Sequence, residues 1–351
     1  MEKEVYYGSY LQLDKILGAQ EPESKVKGEE AHDEMLFIIV HQAYELWFKQ
    51  IIHELDSIVN IMSAPTVNDN SPALHTVVHR MARIIEILRL LVQQVNIIET
   101  MTPLDFLDFR NMLRPASGFQ SFQFKMVEAK LGLKFDQRHG QGYYTSMLNK
   151  EHFELIKEVE SSPTIMELLN IWLERMPFFE KKFWTDYQSK YGSSFANHEF
   201  WGDYRTVFEK SLVDAEQGNL DMFDQLLFDD KFTVLRRLSA SANRSALFIM
   251  LYRDFPILQN PYRLLNSLLE IDELMATWRY RHMNMVHRMI GKRVGTGGSS
   301  GKDYLKGALD RHYIFSEIAE LTSFLIERKN LPRLSKKLEE KLGFDMEFEK
   351  S

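Results

Sequence analysis

The stretch HDEMLFIIVHQAYELWFKQIIHELD, residues 32–56, decides the fold class. Its first part is apolar on every side of a helix. Apolar residues then recur at helical spacing through residue 62, at Tyr44, Leu46, Trp47, Ile51, Ile52, Leu55, Ile58 and Val59. A helix that is apolar all round belongs in a protein interior. At about 1.5 Å per residue, a helix over residues 30–62 is long enough to cross a domain.

Helix signals continue along the chain. Ser71-Pro72 is typical of a helix start and predicts a helix to about Met101. Thr102-Pro103 repeats the signal, with Asp105 in the first turn, and predicts a helix that ends near Pro115. The remaining predicted elements are a loop over 134–150 and helices over 120–131, 163–191, 199–216, 220–229, 240–254, 261–292 and 303–328. Because no set of alternating strand segments is found, the predicted fold class is all-α.

The domain organisation is predicted from length and composition. The chain has 351 residues, which allows roughly two domains. No linker divides it, so we expect one all-helical domain over 1–351, a large helical bundle, with room for a small helical insertion around 195–260. The glycine-rich segment 291–302 separates two long predicted helices.

Charge and cysteine content exclude several classes of protein. A net charge of −7 argues against the concentrated basic surface that nucleic-acid phosphates require. The absence of cysteine excludes disulfides, thiolate zinc sites, iron–sulfur clusters and thiolate-ligated haem. The N-terminus lacks a signal-peptide core, and no apolar run approaches the ~20 residues that span a bilayer. We therefore expect a soluble, cytoplasmic protein that binds neither nucleic acid nor membranes.

Two histidines lie in apolar helical surroundings. His41 shares a helix face with Phe37 and Tyr44, so it either bonds to a neighbouring helix or lines a ligand pocket. His282 lies among Trp278 and several methionines at helical spacing. It is either a core residue or, in a chain without cysteine, the natural axial ligand of a haem iron. The pair His75/His79 and the half-signature Glu29-x-x-His32 lack the further ligands that a metal site needs.

Arg110 and a glycine-rich loop are candidate ligand-binding elements. Arg110 lies between Phe106 and Leu113 on one helix face, where a guanidinium needs a carboxylate from a ligand or from the protein. The segment GTGGSSGK, 295–302, fails as a phosphate loop, because Thr296 and Asp303 stand where that motif needs other residues. It is either a flexible connector or a loop that closes over a polar ligand.

Four segments together closely resemble the tryptophan 2,3-dioxygenase family. They are YGSYLQLD (7–14), the stretch 32–56 quoted above, FRNMLRPASGFQSFQF (109–124) and WRYRHMNMVHRMIGKRVGTGGSSG (278–301). The segments are long and correctly ordered, and only 134–230 matches much less clearly. The resemblance implies an all-helical homotetramer with haem b, active as Fe(II). It implies cleavage of the indole C2–C3 bond of L-tryptophan by O2 to N-formyl-L-kynurenine, the first step of the kynurenine pathway.

The resemblance also implies roles for particular residues. His282 would be the axial ligand of the haem iron, Ser117 and Gly118 would border the haem, and His41 would act in catalysis by hydrogen-bonding the indole N–H. The residues implied to bind substrate are Phe37, Arg110, Thr296, Phe106, Leu113, Tyr7, Tyr10 and Leu11. It implies no role for Arg114.

For some of these residues the resemblance implies a particular contact. Arg110 would pair with the substrate carboxylate, and Thr296 would contact the ammonium and carboxylate groups. Tyr7, Tyr10 and Leu11 would lie on an N-terminal arm, residues 1–28, that reaches into a neighbouring subunit's site. The alternatives left open are the same chemistry on another indoleamine, a haem-binding sensor or carrier without turnover, and a helical scaffold without a cofactor.

Overall fold

The protein is all-α, as the sequence predicts. The structure, a computed structural model, describes residues 4–65, 67, 71–138, 147–234, 236–291, 293 and 313–343, and within these ranges it has no β-strand beyond one isolated bridge. The α-helices are α1 Tyr7–Leu11, α2 Leu13–Leu17, α3 Glu23–Val26, α4 Glu34–Met62, α5 Pro72–Ile98, α6 Pro103–Arg110, α7 Phe122–Leu131, α8 Lys150–Ser161, α9 Ile165–Glu174, α10 Glu199–Ser211, α11 Gly218–Phe228, α12 Asp230–Thr233, α13 Ala240–Leu251, α14 Gln259–Ile290, α15 Ser316–Glu320 and α16 Lys336–Leu342. Short 3₁₀ turns lie between them, at Asn111–Leu113, Gly118–Gln120, Phe135–Gln137, Pro177–Phe179, Lys181–Phe183, Asp214–Glu216, Pro256–Leu258, Leu321–Phe324 and Arg328–Asn330.

Three long helices form the frame of the molecule. Helix α5 packs along both α4 and α14, and α7 packs against α4. Local capping starts α5 and the shorter helix α6 where the sequence predicts. Ser71 accepts a hydrogen bond from the Leu74 amide at 3.1 Å, and Thr102 and Asp105 form a reciprocal capping box at the start of α6.

One large buried cluster joins the long helices to the C-terminal half of the described chain. It includes Phe48 of α4, Leu88 of α5, Trp172 of α9, Phe248 of α13 and Leu268 of α14. The proposed insertion around 195–260 and the N-terminal arm stay predictions. None of the helices that the structure describes combines the length and apolar character needed to cross a bilayer.

Three predicted boundaries are wrong. The helix predicted over 163–191 is α9, which ends at Glu174, because Pro177 has no N–H to continue the helical hydrogen bonds and the chain enters 3₁₀ turns. The helix predicted to reach Pro115 ends at Arg110 and continues as one 3₁₀ turn. The helix predicted over 303–328 is α-helical only over Ser316–Glu320 among the residues described there, and the backbone is extended at Leu325.

Among the described residues, the sequence analysis misses the short helices α1, α2, α3, α12 and α16 and one longer helix, α8. Helix α8 starts at Lys150, the last residue of the polar segment predicted as a loop, where Asn149 accepts a hydrogen bond from the His152 amide at 2.8 Å. An asparagine N-cap is a recognisable signal. The polar residues that precede Asn149 favour a loop, so the sequence analysis predicts no helix at this position.

His198 lies in a box of aromatic rings at the start of α10. Its ring centroid is 4.8 Å from Trp184 and 5.8 Å from Phe179, and both ring nitrogens are buried without a hydrogen-bond partner among the described residues. Burial lowers the pKa of His198 from 6.5 to about 4, with a further contribution from the charge of Arg244. The folded chain therefore holds this ring neutral.

We expect His198 to make the protein sensitive to acid. Because its folded pKa is lowered, its contribution to stability is present above about pH 6.5 and is lost as the pH falls towards 4. By about pH 5 the loss is on the order of 2 kcal/mol. In urea unfolding at neutral pH and near pH 5, His198→Phe should lose correspondingly less stability on acidification than the wild type. Equal losses in both proteins would contradict this assignment.

Candidate active site

Helices α4, α6 and α14 meet around a small apolar cluster that is separate from the main core. Its buried members are Met101, Phe109 and Met289. Residues that the sequence analysis places at a ligand pocket pack against it, together with several neighbours: Phe37, Phe106, Leu113, Ala31, Leu36, Met285 and Ile290. Three helices distant in sequence therefore supply one apolar wall.

Aromatic rings form the flat part of this wall. Phe37 and Phe106 stack with ring centroids 5.7 Å apart and planes 27° apart. Phe109 meets both rings more nearly edge-on, at 5.6 Å from Phe37 and 5.4 Å from Phe106. Such a surface suits a planar aromatic ligand. The sequence analysis missed Phe109, whose only signal is its place beside Arg110.

His41 lies one helical turn after Phe37 on α4. Its ring centroid is 4.1 Å from that of Phe37, and Nδ1 lies 2.7 Å from the Phe37 carbonyl oxygen. A carbonyl only accepts, so Nδ1 carries the proton in this hydrogen bond. The residue is accessible to solvent on one side, yet the surrounding protein lowers its pKa by desolvation. The neutral ring consequently presents an unprotonated Nε2.

His282 lies on α14 and is partly buried. The Trp278 ring, one turn earlier, is nearly parallel to it, with planes 9° apart and centroids 5.2 Å apart. Nδ1 is buried without a hydrogen-bond partner among the described residues. Burial, together with a smaller effect of the nearby His41, lowers the pKa of His282 to about 4. Near neutral pH, His282 is a neutral imidazole, the form that binds a metal.

Arg110 ends helix α6, where only 3% of its surface is exposed. Burial lowers its pKa, and the charges of Arg114 and Arg293 lower it further. Arginine nevertheless stays protonated in proteins. Several positive charges at this end of α6 favour an anionic ligand, and the planar guanidinium suits a carboxylate.

The turn after Arg110 is fixed by its own hydrogen bonds. Ser117 accepts from the Phe119 amide at 3.3 Å, and the Ser117 amide donates to Gln120 at 3.1 Å. A Cβ atom added to Gly118 would meet nothing within 4 Å, so the space beside this glycine is open. The backbone of the turn is therefore accessible on the side of Gly118.

Other predicted site residues are not brought to this cluster within one chain. Tyr7, Tyr10 and Leu11 lie on the exposed helix α1, with 71% and 73% of the surfaces of the two tyrosines exposed. Thr296 lies outside the described residues. The residues His75, His79, Glu29 and His32 belong to no group of three or more His, Asp or Glu placed to hold a metal ion in the described part of the chain.

A second concave surface, a groove of about 690 Å³, lies on another face of α14. Its buried acid, Asp272, accepts hydrogen bonds from the amides of Ile314 at 3.0 Å and Phe315 at 2.5 Å. The carboxylate therefore holds the chain after residue 312 rather than facing a ligand. The aromatic wall, the two histidines and Arg110 provide more groups that can bind and orient a ligand than this groove does. They are therefore the better candidate for the active site.

Comparisons with known proteins agree on one family. The profile of the family described as tryptophan 2,3-dioxygenase matches residues 1–325. A protein of that name from Bdellovibrio bacteriovorus is 43% identical over 356 residues, covering 97% of this chain and 98% of its own. Its namesake from Dictyostelium discoideum is 43% identical and covers 98% of this chain and 89% of its own. The Mus musculus protein of that name is also 43% identical, covering 94% and 84% respectively.

Proposed function

The chain belongs to the tryptophan 2,3-dioxygenase family, and from this premise we propose that it cleaves the indole C2–C3 bond of L-tryptophan with O2. The product is N-formyl-L-kynurenine. One observation of the structure supports the proposal most strongly. An aromatic wall, a buried guanidinium and two neutral histidines converge where α4, α6 and α14 meet.

The residues at this site fit a haem b group. His282 provides a neutral imidazole for the iron, because its pKa of about 4 leaves it unprotonated near neutral pH. Met285 and Met289 follow on its helix and belong to the apolar cluster, which suits a porphyrin face. The open space beside Gly118 leaves room for the porphyrin edge. When bound as Fe(II), the haem supplies the oxygen chemistry.

The chain's own residues bind and orient the substrate. Arg110 holds the carboxylate of the amino acid with two parallel hydrogen bonds, and Phe37, Phe106 and Leu113 enclose the indole ring. We assign Thr296 to the ammonium and carboxylate groups on the basis of family resemblance. Fixing a planar ring and its carboxylate at once places the C2–C3 bond at one position, which is the main contribution a protein makes to such a reaction.

His41 accepts a hydrogen bond from the indole N–H in this proposal. Its Nδ1 proton is already committed to the Phe37 carbonyl, so Nε2 is the free acceptor. The lowered pKa keeps that nitrogen unprotonated. His41 therefore orients the indole and stabilises its N–H, and it need not remove the proton completely.

We expect His41→Ala to slow the reaction without abolishing it. Leaving a buried donor unsatisfied costs roughly 1–3 kcal/mol, which corresponds to a fall in kcat/KM of about 5- to 150-fold. The control is 1-methyltryptophan, which has no indole N–H. The ratio of kcat/KM for L-tryptophan to that for 1-methyltryptophan should decrease in the variant. A variant as inactive as His282→Ala would contradict this role.

The assembly is proposed to be a cytoplasmic homotetramer in which residues 1–28 reach a neighbouring subunit. Val5, Tyr6, Tyr7 and Tyr10 are each at least 71% exposed, which is unusual for a cluster of large apolar side chains. Exchange of this arm would cover them and add Tyr7, Tyr10 and Leu11 to the partner's site. The absence of cysteine is consistent with a reducing compartment.

Turnover is the test of this function. The haem-loaded, reduced protein is mixed with L-tryptophan in air, and N-formylkynurenine absorbance is followed without added reductant. Steady growth of that absorbance supports the proposal. A ligand-sensitive Soret band without product would indicate a sensor or carrier, and no Soret band would indicate a scaffold. Equal turnover of tryptamine would indicate a different indole substrate, because Arg110 favours a free carboxylate.

A further inference from the structure

A buried carboxylate on α7, Glu128, has no part in the mechanism above. It accepts a hydrogen bond from Arg279 of α14 at 2.6 Å, across 151 residues of sequence, and another from Arg138. All three side chains are at most 5% exposed. A buried charge is costly unless it is paired, so this pairing strongly favours one arrangement of α7 against α14.

The same two helices support His282 through a series of ring contacts. The Arg279 guanidinium lies 6.0 Å from the Phe124 ring centroid of α7. Phe124 packs 4.9 Å from Trp278, and Trp278 lies parallel to His282. Arg279 and Trp278 are adjacent on α14, so a rotation of this helix that broke the ion pair would also move the indole ring.

In the described part of the chain, ring packing rather than a hydrogen bond holds the His282 imidazole. Histidines that bind a metal usually donate their other N–H to a carboxylate or carbonyl, which fixes the ring orientation. His282 Nδ1 has no such acceptor among the residues that the structure describes. Among the described residues, the orientation of the ring therefore comes from the surfaces that contact it, and Trp278 covers one face.

We propose that the Glu128–Arg279 pair and Trp278 are positioning residues for His282. The ion pair fixes α14 against α7, and the indole of Trp278 then holds the plane of the imidazole. This inference rests on the proposed function, in which His282 is the axial ligand of the haem iron. Neither Glu128 nor Trp278 belongs to the apolar cluster at which the substrate is proposed to bind, so both are assigned an effect on the reaction only through His282.

The test compares haem-loaded variants by two measurements other than activity. These are the rate of haem loss to an acceptor protein and the iron–histidine stretching band of the reduced protein. Glu128→Gln and Trp278→Leu should lose haem about 10- to 100-fold faster and shift or broaden the band. Trp278→Phe keeps a flat ring and should remain close to the wild type. If Glu128→Gln does not fold, Arg279→Lys tests the same pair.

Glu54→Gln is the matched control. Glu54 is equally buried and pairs with Arg83 at 2.7 Å, but it joins α4 to α5 away from His282. We expect this variant to lower the free energy of unfolding and to leave the band and the haem-loss rate unchanged. The inference is overturned if Glu128→Gln behaves like the wild type, or if Glu54→Gln matches it in both measurements. If instead His282→Ala keeps the iron–histidine band, His282 is not the iron ligand, and the assignment on which this inference rests fails.

Discussion

His282→Ala is expected to lose haem-dependent turnover almost completely. Loss of a residue that merely supports a metal ligand costs about 10- to 100-fold, so loss of the ligand itself should exceed about 100-fold in kcat. Among the described residues, no second histidine lies on the same face of α14. No neighbouring imidazole on that face can therefore replace His282 as the iron ligand. The measurement is turnover of L-tryptophan with the Soret spectrum of the reconstituted protein.

His287→Ala is the control for this variant. His287 is exposed, five residues further along α14 and on another face, so its loss should leave the spectrum and turnover unchanged. Added imidazole should restore part of the Soret spectrum of the His282 variant by occupying the vacated space. A His282→Ala protein with a normal Soret band and normal turnover would rule out this residue as the iron ligand.

Arg110→Leu is expected to give the second large loss. Removing one partner of a buried charge pair costs about 2–5 kcal/mol, which lowers kcat/KM for L-tryptophan by roughly 30- to 5,000-fold. Arg110→Lys keeps the charge but loses the planar pair of donors, so its loss should be smaller. The haem spectrum should not change in either variant, since Arg110 is assigned to the substrate.

Tryptamine and Arg114 provide the controls for this prediction. Tryptamine lacks the carboxylate, so the preference of the enzyme for L-tryptophan over tryptamine should collapse in Arg110→Leu. Arg114 is an exposed cation close enough to lower the pKa of Arg110, and Arg114→Leu should change kcat/KM by no more than about fivefold. An equal proportional loss for both substrates in Arg110→Leu would show that Arg110 does not bind the carboxylate.

The helices that the sequence predicts best are those with local start signals. Ser71-Pro72 and Thr102-Pro103 set the starts of α5 and α6 through hydrogen bonds within one turn, so a single sequence suffices to place them. Helix ends depend more on tertiary contacts. Leu321 and Phe324 are buried in the main core, and the chain leaves the helical path there although the local pattern permits a longer helix.

The site was only partly predictable from residue patterns. The pattern alone left His41, His282 and Arg110 each with a structural alternative, and the family resemblance supplied their roles. The structure adds the grouping of Phe37 and Phe106 with Phe109, and the orientation of His41 by the Phe37 carbonyl. It also adds the Glu128–Arg279 pair, whose members are 151 residues apart. Contacts at that distance leave no signal in one sequence.

The most direct test of the account is the fate of oxygen during turnover. The haem-loaded, reduced protein is given L-tryptophan under isotopically labelled O2, and the product is analysed by mass spectrometry. We expect N-formyl-L-kynurenine in which both the formyl and the ketone oxygen carry the label at the moment of formation, with no reductant consumed. A product that carries one labelled oxygen, or no cleaved product at all, would contradict dioxygenase cleavage of the indole ring by this protein.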